Sequence, residues 1–275
     1  MTGRPRLRSG RRRIAAVTFA LAALAASCAP HHVGLPALDL AGGRALYLRG
    51  LAARERPAAL IESDLTLWVR AHGAARIGAS GVLLLAPPDG MRMRLDSMFG
   101  TALDLSARGD SVIAVIPSRR MAVAADAVRD TLGLAAPGMH VYRLLSAAWR
   151  PASDARWAPR DDGTLEARWA EGPDSAALSI DREGRPAHLV WTTADGMTWT
   201  VDYLTWTTGT AVTWPESFRC QDGRGRATLT ARLARVRLQS QQSPDRLAVR
   251  VPPQTEWMDW HRFRLALEDL ETWIP

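Results

Sequence analysis

The chain has 275 residues, a formal net charge of +7 and a pI near 10.7, values that at first suggest a nucleic-acid-binding protein. Six of its 35 basic residues, however, lie within the first 13 positions, and no acidic residue occurs before position 28. The rest of the chain is therefore close to neutral. It lacks the excess of positive charge that binds a polyanion, which argues against nucleic acid as a partner.

The first 27 residues have the pattern of a secretory signal peptide. Arginines between positions 4 and 13 precede a short apolar run, Ile14 to Ser27, that ends in small residues. This run is too short to span a bilayer, which requires ~20 apolar residues. The sequence therefore predicts export, with residues 1–27 removed as a lipoprotein signal peptide.

Cys28 follows this run directly, and the stretch LAASC at 24–28 resembles a bacterial lipobox. The resemblance implies that Cys28 is diacylated on its sulfur and becomes a lipid-anchored N-terminus, since each buried acyl methylene contributes ~0.8 kcal/mol. An ordinary signal peptide with an incidental cysteine is the alternative. Ala29 stands where the enterobacterial sorting rule has an aspartate for retention in the inner membrane, so the outer membrane is the expected location.

The next segments are predicted to be a tether and a helix. Prolines and the Gly42-Gly43 pair interrupt any periodicity at 28–43. Residues 44–60 then have helical spacing, and Pro57 ends or kinks the helix. Its predicted apolar face consists of Leu46, Leu48, Leu51 and Ala52.

Alternating apolar and polar residues predict five consecutive strands between residues 64 and 117, which form an antiparallel meander. The turn between the third and fourth strands is unusual, because its tip carries Met98 and Phe99 just before Gly100. Exposed apolar groups are costly unless they meet another apolar surface. We expect this tip either to touch a membrane or to fold back under a neighbouring loop.

Two helices are predicted next, at 125–134 and 139–149, followed by six strands from 163 to 238 and a last strand at 246–251. A final helix is predicted at 255–274, either on the convex face of the sheet or flat on the membrane. The predicted fold is α+β: a single curved antiparallel sheet of about eleven strands, an incomplete β-barrel, with a helical lid and a hydrophobic cavity. Residues 44–252 form its main domain and 253–275 a C-terminal amphipathic helix.

The sequence carries no catalytic signature. It contains no GxSxG or HExxH motif, and it has no lysine for a phosphate-binding loop. His31 and His32 have no nearby ligand partners, and the other histidines lack ligand spacing, so no metal site is predicted. Cys220 is interpreted as a small buried apolar residue, because it has no partner for an internal disulfide. We expect a binding protein without a cofactor, and not an enzyme.

The apolar residues favour a binding role. Eight methionines and eleven tryptophans provide flexible and aromatic surface that adapts to irregular ligands. Few helices are available to cover the concave side of the sheet, so we predict a cavity for acyl chains, with packed core as the alternative for any single residue. The predicted cavity residues are Leu65, Leu67, Val69, Met91, Met93, Leu95, Leu103, Leu105, Trp199, Val201 and Tyr203.

The order of elements and several motifs across residues 44–238 resemble the LolA/LolB superfamily of bacterial lipoprotein carriers and receptors, and the outer-membrane receptor LolB most closely. DSMFG at 96–100 lies where that receptor has NPLG, which places Phe99 at its exposed leucine. LGLAAPGMHVYRLLSAAWRP at 132–151 resembles the lid segment of the family. The stretches at 182–206 and 213–238 resemble two of its later hairpins.

The resemblance implies a monomeric, lipid-anchored protein on the periplasmic face of the outer membrane. It would accept acylated lipoproteins from a periplasmic LolA-like carrier and insert them into the membrane, with Met98 and Phe99 assisting insertion. Two alternatives remain open. One is a general lipid- or glycolipid-binding envelope lipoprotein, and the other is a non-catalytic structural or assembly partner whose interior is filled.

Overall fold

One large sheet of fourteen strands dominates the part of the chain that the structure describes. The computed structural model describes residues 39–268, apart from 56–59, 71–76, 88, 99, 127–136, 209–211, 226 and 240–243. The strands are β1 (Leu60–Arg70), β2 (Ile77–Ala86), β3 (Gly90–Ser97), β4 (Gly100–Arg108), β5 (Ser111–Ile116), β6 (Met121–Asp126), β7 (Arg156–Pro159), β8 (Leu165–Glu171), β9 (Asp174–Ile180), β10 (Pro186–Thr192), β11 (Thr198–Trp206), β12 (Pro215–Asp222), β13 (Thr228–Gln239) and β14 (Glu256–Met258).

The strands follow the spatial order β14-β6-β5-β4-β3-β2-β1-β13-β12-β11-β10-β9-β8-β7. All neighbours are antiparallel except β14, which runs parallel to β6 at one edge. The sheet is curved and stays open between β14 and β7, in agreement with the predicted incomplete barrel. The predicted number of strands was too low, because the short strands β6, β7 and β14 were not expected.

The period-two alternation of the strands places their apolar residues on a common face. Leu83 lies opposite Met93, which in turn lies opposite Leu105. On the other side of β1, Leu65 lies opposite Leu233. We call the side of the sheet that carries these five residues the inner face, and it includes every residue that strand pairing places on the same side. A one-residue slip would turn the whole apolar set to the other side, so its burial fixes the register.

Three helices in the described residues cover the inner face: α1 (Leu40–Glu55), α2 (Pro137–Ser146) and α3 (Trp260–Glu268). Helix α1 contacts β7 and β8, α2 contacts β3 to β5, and α3 contacts β6. Side chains of α1 and α2 share one core cluster with the strands, and side chains of α3 belong to a second cluster on the same face. The predicted helical cover is therefore present, over the face that carries the predicted cavity residues.

The first helix begins earlier than expected and buries a different face. Asp39 caps it by accepting a hydrogen bond from the backbone N–H of Gly42 at 3.1 Å, which offsets the helix-weakening effect of the glycine pair. The buried residues are Gly43, Tyr47, Leu51 and Arg54. Of the predicted face, only Leu51 is buried, while Leu48 is 41% exposed.

The inner helices differ from their predicted bounds. Helix α2 ends at Ser146, three residues before the expected end, because Ala147 adopts a left-handed conformation with φ of 54°. The helix predicted at 125–134 is wrong at its start, since Ala125 and Asp126 belong to β6. The rest of that segment lies outside the described residues.

The strand predicted at 246–251 is absent, and this segment instead packs on the outer face of the sheet. Arg246 pairs with Glu62 of β1 at 2.8 Å, and its backbone carbonyl accepts a hydrogen bond from Arg92 at 3.1 Å. Leu247 covers a small apolar cluster formed by Leu60, Leu84 and Ala86. The alternating pattern of residues 246–251 thus reflects contacts with the outer face of the sheet, and not backbone pairing with a neighbouring strand.

The C-terminal segment also differs from expectation. Residues 256–258 form β14, and Asp259 caps α3 through a 2.8 Å hydrogen bond from the backbone N–H of Arg262. Phe263 is fully buried against the cluster that includes Ile116 and Val123 of the inner face. The expected packing of this helix on the convex face was therefore wrong. Residues 269–275 lie outside the described residues.

The predicted signal peptide, Cys28 and the tether up to residue 38 also lie outside the described residues. The described residues of the unit that begins at Ala37 have their own hydrophobic core, as expected of a domain that folds by itself. In the described part of the chain, no helix combines the length and the apolar character needed to cross a membrane.

We predict that Phe263→Ala lowers the free energy of unfolding by about 3–5 kcal/mol, because it leaves a cavity between α3 and β6. Equilibrium unfolding in urea measures this loss. Leu265→Ala on the same helix is the control: its side chain is 47% exposed, so a change below about 0.5 kcal/mol is expected. Equal losses for the two variants would show that α3 is not anchored through Phe263.

Candidate functional site

Strand register places all eleven predicted cavity residues on the inner face. Leu65, Met91, Val201 and Tyr203 are buried in the core cluster beneath the helices. Others are half-buried and pack against this cluster or the one under α3: Leu67, Met93, Leu95, Leu103 and Leu105. Trp199 is half-buried, and Val69 is 41% exposed at the end of β1. Contact of these residues with an acyl chain stays a prediction.

A chain of hydrogen bonds fastens the helical cover to the sheet. The Tyr47 hydroxyl of α1 donates to the carbonyl of Trp149. The indole N–H of Trp149 donates to the Tyr203 hydroxyl of β11 at 2.7 Å, and that hydroxyl donates to the carbonyl of Leu144 at 3.0 Å. From here on, residues 137–150 are called the lid. Few polar contacts, each to a buried aromatic side chain, thus position the lid over the inner face.

Burial keeps these tyrosines neutral. It raises the pKa of Tyr142 to about 12 and raises the pKa values of Tyr47 and Tyr203 well above their usual range. All three hydroxyls are therefore hydrogen-bond donors at physiological pH. The Tyr142 hydroxyl uses its proton in a 3.1 Å bond to the carbonyl of Arg54, which joins the lid to the end of α1.

A cleft of about 530 Å³ opens between α1, the end of the lid and the last residues of β8. Two ion pairs bound it: Arg143 with Glu171 at 2.6 Å, and Arg150 with Glu55. The remaining lining is mostly apolar, a composition and size typical of sites for amphiphilic ligands. These residues are Leu48, Leu51, Ala52, Pro151, Ala152, Ser153, Trp169 and Ala170.

Sequence analysis did not find this cleft, and none of the predicted cavity residues lines it. Its walls come from α1, from residues 150–153 and from β8, which are far apart in the sequence. No local periodicity marks such a combination. The one available signal was Arg150-Pro151, within the stretch that resembles the lid segment of the LolA/LolB superfamily.

Arg54, on the buried side of α1, is a second feature that the sequence analysis missed. Its side chain is 2% exposed, and its guanidinium carbon lies 5.6 Å from the ring centre of Trp206. Burial lowers its pKa, although an arginine remains charged in a protein. Among the described residues, neither its Nε nor its Nη2 atom has a hydrogen-bond partner.

The tip between β3 and β4 presents an apolar side chain to solvent. Met98 is 74% exposed, more than any other large apolar residue in the described part of the chain. The Ser97 hydroxyl donates to the carbonyl of Gly100 at 3.1 Å, and Gly100 has a φ of 111°, a conformation that glycine adopts without strain. Met98 does not fold back under a neighbouring loop. Phe99 lies outside the described residues.

Other polar groups do not form a metal site within the described residues, where no cluster of three possible ligands occurs. Cys220 is half-buried and packs against the core, and burial raises its pKa to about 11. Its thiol is therefore protonated near neutral pH, as suits a small apolar residue.

Comparison with solved structures identifies the architecture. A LolA superfamily protein from Nitrosomonas europaea aligns with a TM-score of 0.51 and 10% identity over 76% of this chain and 97% of its own. A domain from Vibrio parahaemolyticus with the name outer membrane lipoprotein-sorting protein aligns with a TM-score of 0.53 and 9% identity. A DUF1329 family protein from Desulfovibrio piger aligns with a TM-score of 0.53 and 8% identity. Each of these two alignments also covers 76% of this chain and 97% of the other. This chain shares the fold of these three structures. No family model and no curated protein sequence matches it.

Within this fold, the cleft, Arg54 and the Met98 tip lie on connected elements. The lid packs over β3 to β5, and β3 and β4 extend to the Met98 tip. Helix α1 carries Arg54 on its buried side and lines the cleft with Leu48, Leu51 and Ala52. A ligand that enters under the lid would thus meet apolar strands that lead to an exposed apolar tip.

We predict that the double variant Glu55→Gln and Glu171→Gln loosens the lid, because it removes the carboxylate from both ion pairs at the cleft. Partly exposed pairs contribute ~0.2–1 kcal/mol each, so backbone amide exchange in residues 142–149 is expected to accelerate roughly two- to tenfold. Hydrogen–deuterium exchange with mass spectrometry measures this rate. Glu183→Gln, in an exposed pair with Arg185, is the control. An unchanged exchange rate in the double variant would contradict a role of the pairs in holding the lid.

Proposed function

We propose that this protein is a LolB-type lipoprotein receptor of the outer membrane. Anchored on the periplasmic face through acylated Cys28, it accepts the acyl chains of lipoproteins from a LolA-like carrier and releases them into the membrane. The observation that carries this proposal is the 74% exposed Met98 at the tip of a hairpin whose inner side is apolar, on the LolA-superfamily fold. A similar fold in a protein named for lipoprotein sorting supports it.

Acyl chains would bind by replacing the lid on the inner face. Helix α2 packs over β3 to β5, where Met93, Leu95 and Leu105 are only half-buried. Apolar burial stabilises by ~25 cal/mol per Å², so a chain that covers these residues offsets the loss of lid packing. Uptake then needs no covalent step, and the direction of transfer follows the order of affinities of carrier, receptor and membrane.

The β3–β4 hairpin would guide release. Leu95 and Leu103 lie opposite each other on its inner side, close to the tip with Met98. Together with Phe99, the next residue in the sequence, Met98 supplies an apolar surface where the hairpin meets the bilayer. An acyl chain that leaves the inner face along this hairpin stays in contact with apolar groups until it reaches the membrane.

A second candidate function is general binding of lipids by an envelope lipoprotein that meets no carrier. Arg54 favours it, because a buried cation whose Nε and Nη2 have no acceptor among the described residues suits an acidic lipid better than the uncharged acyl chains of a lipoprotein. Both candidates require that the inner face admits acyl chains. They differ in the source of those chains.

The decisive experiment mixes residues 29–275 with an acylated lipoprotein bound to the periplasmic carrier of the same organism. We expect the lipoprotein to move from the carrier to this protein, as followed by co-purification. If it stays on the carrier while a fluorescent fatty acid binds residues 29–275, the receptor proposal fails and general lipid binding remains. If neither binds, the interior is a packed core, and both candidate functions are wrong.

We predict that Met98→Glu and Phe99→Glu each keep lipoprotein binding and lose insertion, because a carboxylate at the tip opposes entry into the bilayer. Transfer of lipoprotein from the acylated receptor to outer-membrane vesicles measures insertion. Leu238→Glu is the matched control: Leu238 is 47% exposed and lies at the opposite end of the sheet, where it pairs with Ile61. Normal insertion by both tip variants would overturn the role of the tip.

A further inference from the structure

Arg54 is a buried cation, and no carboxylate among the described residues forms an ion pair with it. Its side chain is 2% exposed, and the described residues offer no hydrogen-bond partner to its Nε or Nη2 atom. The ring of Trp206, 5.6 Å from the guanidinium carbon, stabilises the cation through its π-face but accepts no conventional hydrogen bond. Leaving a buried charge unpaired is strongly destabilising, so this arrangement requires an explanation.

The unpartnered atoms are the two that face the same edge of the guanidinium group. Arg92 uses this edge in the same protein, where its Nε and Nη2 donate to the two carboxylate oxygens of Asp104 at 2.9 and 2.7 Å. Such bidentate pairing matches the geometry of a carboxylate or a phosphate. At Arg54 the equivalent edge has no hydrogen-bond acceptor among the described residues.

The polar groups around Arg54 already have other hydrogen-bond or ion-pair partners. The hydroxyls of Tyr47, Tyr142 and Tyr203 all donate to backbone carbonyls, and the neighbouring Glu55 pairs with Arg150 at the cleft. The buried indole N–H of Trp214 also has no partner among the described residues. Two hydrogen bonds join Trp214 to Thr207, the residue after Trp206: the backbone N–H of Thr207 donates to the carbonyl of Trp214, and the backbone N–H of Trp214 donates to the Thr207 hydroxyl. Donors without an acceptor among the described residues thus occur on Arg54 and on Trp214, whose backbone is bonded to the residue after the ring that Arg54 contacts.

We propose that Arg54 binds the oxyanion headgroup, a carboxylate or a phosphate, of an acyl-chain amphiphile whose chain lies on the inner face. The proposal rests on the proposed function only in that the interior must admit acyl chains; the acidic headgroup is the new element. The cleft provides an approach, since Leu51 belongs both to its lining and to the core cluster, one turn before Arg54. The ligand supplies the missing anion, and Arg54 selects acidic amphiphiles over neutral ones.

The test compares three ligands with the same chain, dodecanoate, dodecyl phosphate and dodecanol, on residues 29–275 by isothermal titration calorimetry. We expect at least one anionic ligand to bind roughly tenfold or more tightly than dodecanol, as a charged bidentate contact in the interior implies. If dodecanoate binds more tightly than dodecyl phosphate, the natural ligand is a fatty acid; if dodecyl phosphate binds more tightly, it is a phosphorylated lipid. Arg54→Gln should reduce this preference to within about twofold, through weaker binding of the anionic ligand.

Arg168→Gln is the matched control, because Arg168 is an exposed arginine of β8 whose loss tests nonspecific attraction by positive charge. It should keep the full preference. Equal affinities of the three ligands for the natural sequence would overturn the headgroup proposal and leave acyl binding intact. Failure of all three to bind would overturn acyl binding as well.

The variant Arg54→Met distinguishes headgroup binding by Arg54 from a purely structural role of this side chain. If the Arg54 charge is unpaired until an anionic ligand binds, an uncharged side chain of similar length should raise the thermal midpoint of the ligand-free protein by about 2 °C or more. The preference for anionic ligands over dodecanol should then vanish. A lower midpoint with an unchanged preference would show that Arg54 stabilises the core and does not bind the headgroup.

Discussion

An open antiparallel sheet with one apolar face must have that face covered, and the rest of this structure depends on this constraint. The strands from β14 to β7 present a continuous inner face that short helices cover in the described residues. Because the sheet does not close, the cover is held by side-chain packing and a few hydrogen bonds, such as that from Trp149 to Tyr203. A cover attached in this way can be displaced by a ligand that buries the same apolar surface.

Stability and binding conflict at the end of α1. The position three residues after Leu51 faces the core, where an apolar side chain would pack without penalty, yet it holds the charged Arg54. Proteins tend to break local packing rules at functional sites, where a ligand supplies the compensation. The two partly exposed ion pairs at the cleft join α1 and β8 to the lid near this position, so they lie close to the buried cation.

Period-two alternation is a local signal, and it correctly predicted β1 to β5, most later strands and the shared inner face of residues such as Met93 and Val201. Strand β6 was missed because its sequence, MAVAAD, is rich in alanine, and β14 because it has only three residues. The face of α1 was misjudged because the Asp39 cap, four residues before Gly43, sets where the helix begins. The cleft and Arg54 depend on segments distant in sequence, so no local pattern revealed them.

The C-terminal segment, beyond the part of the chain that resembles the family, limits where a ligand can bind. Strand β14 covers the exposed edge of β6, and Phe263 of α3 fills the inner face beside Ile116 and Val123. Leu105 packs against both core clusters and so marks the boundary between them. In the proposed function, a ligand under the lid would therefore lie on the strands from β4 towards β11, between the Met98 tip on one side and Arg54 on the other. Such a position would let one interior combine a chain-binding surface with a selective headgroup contact.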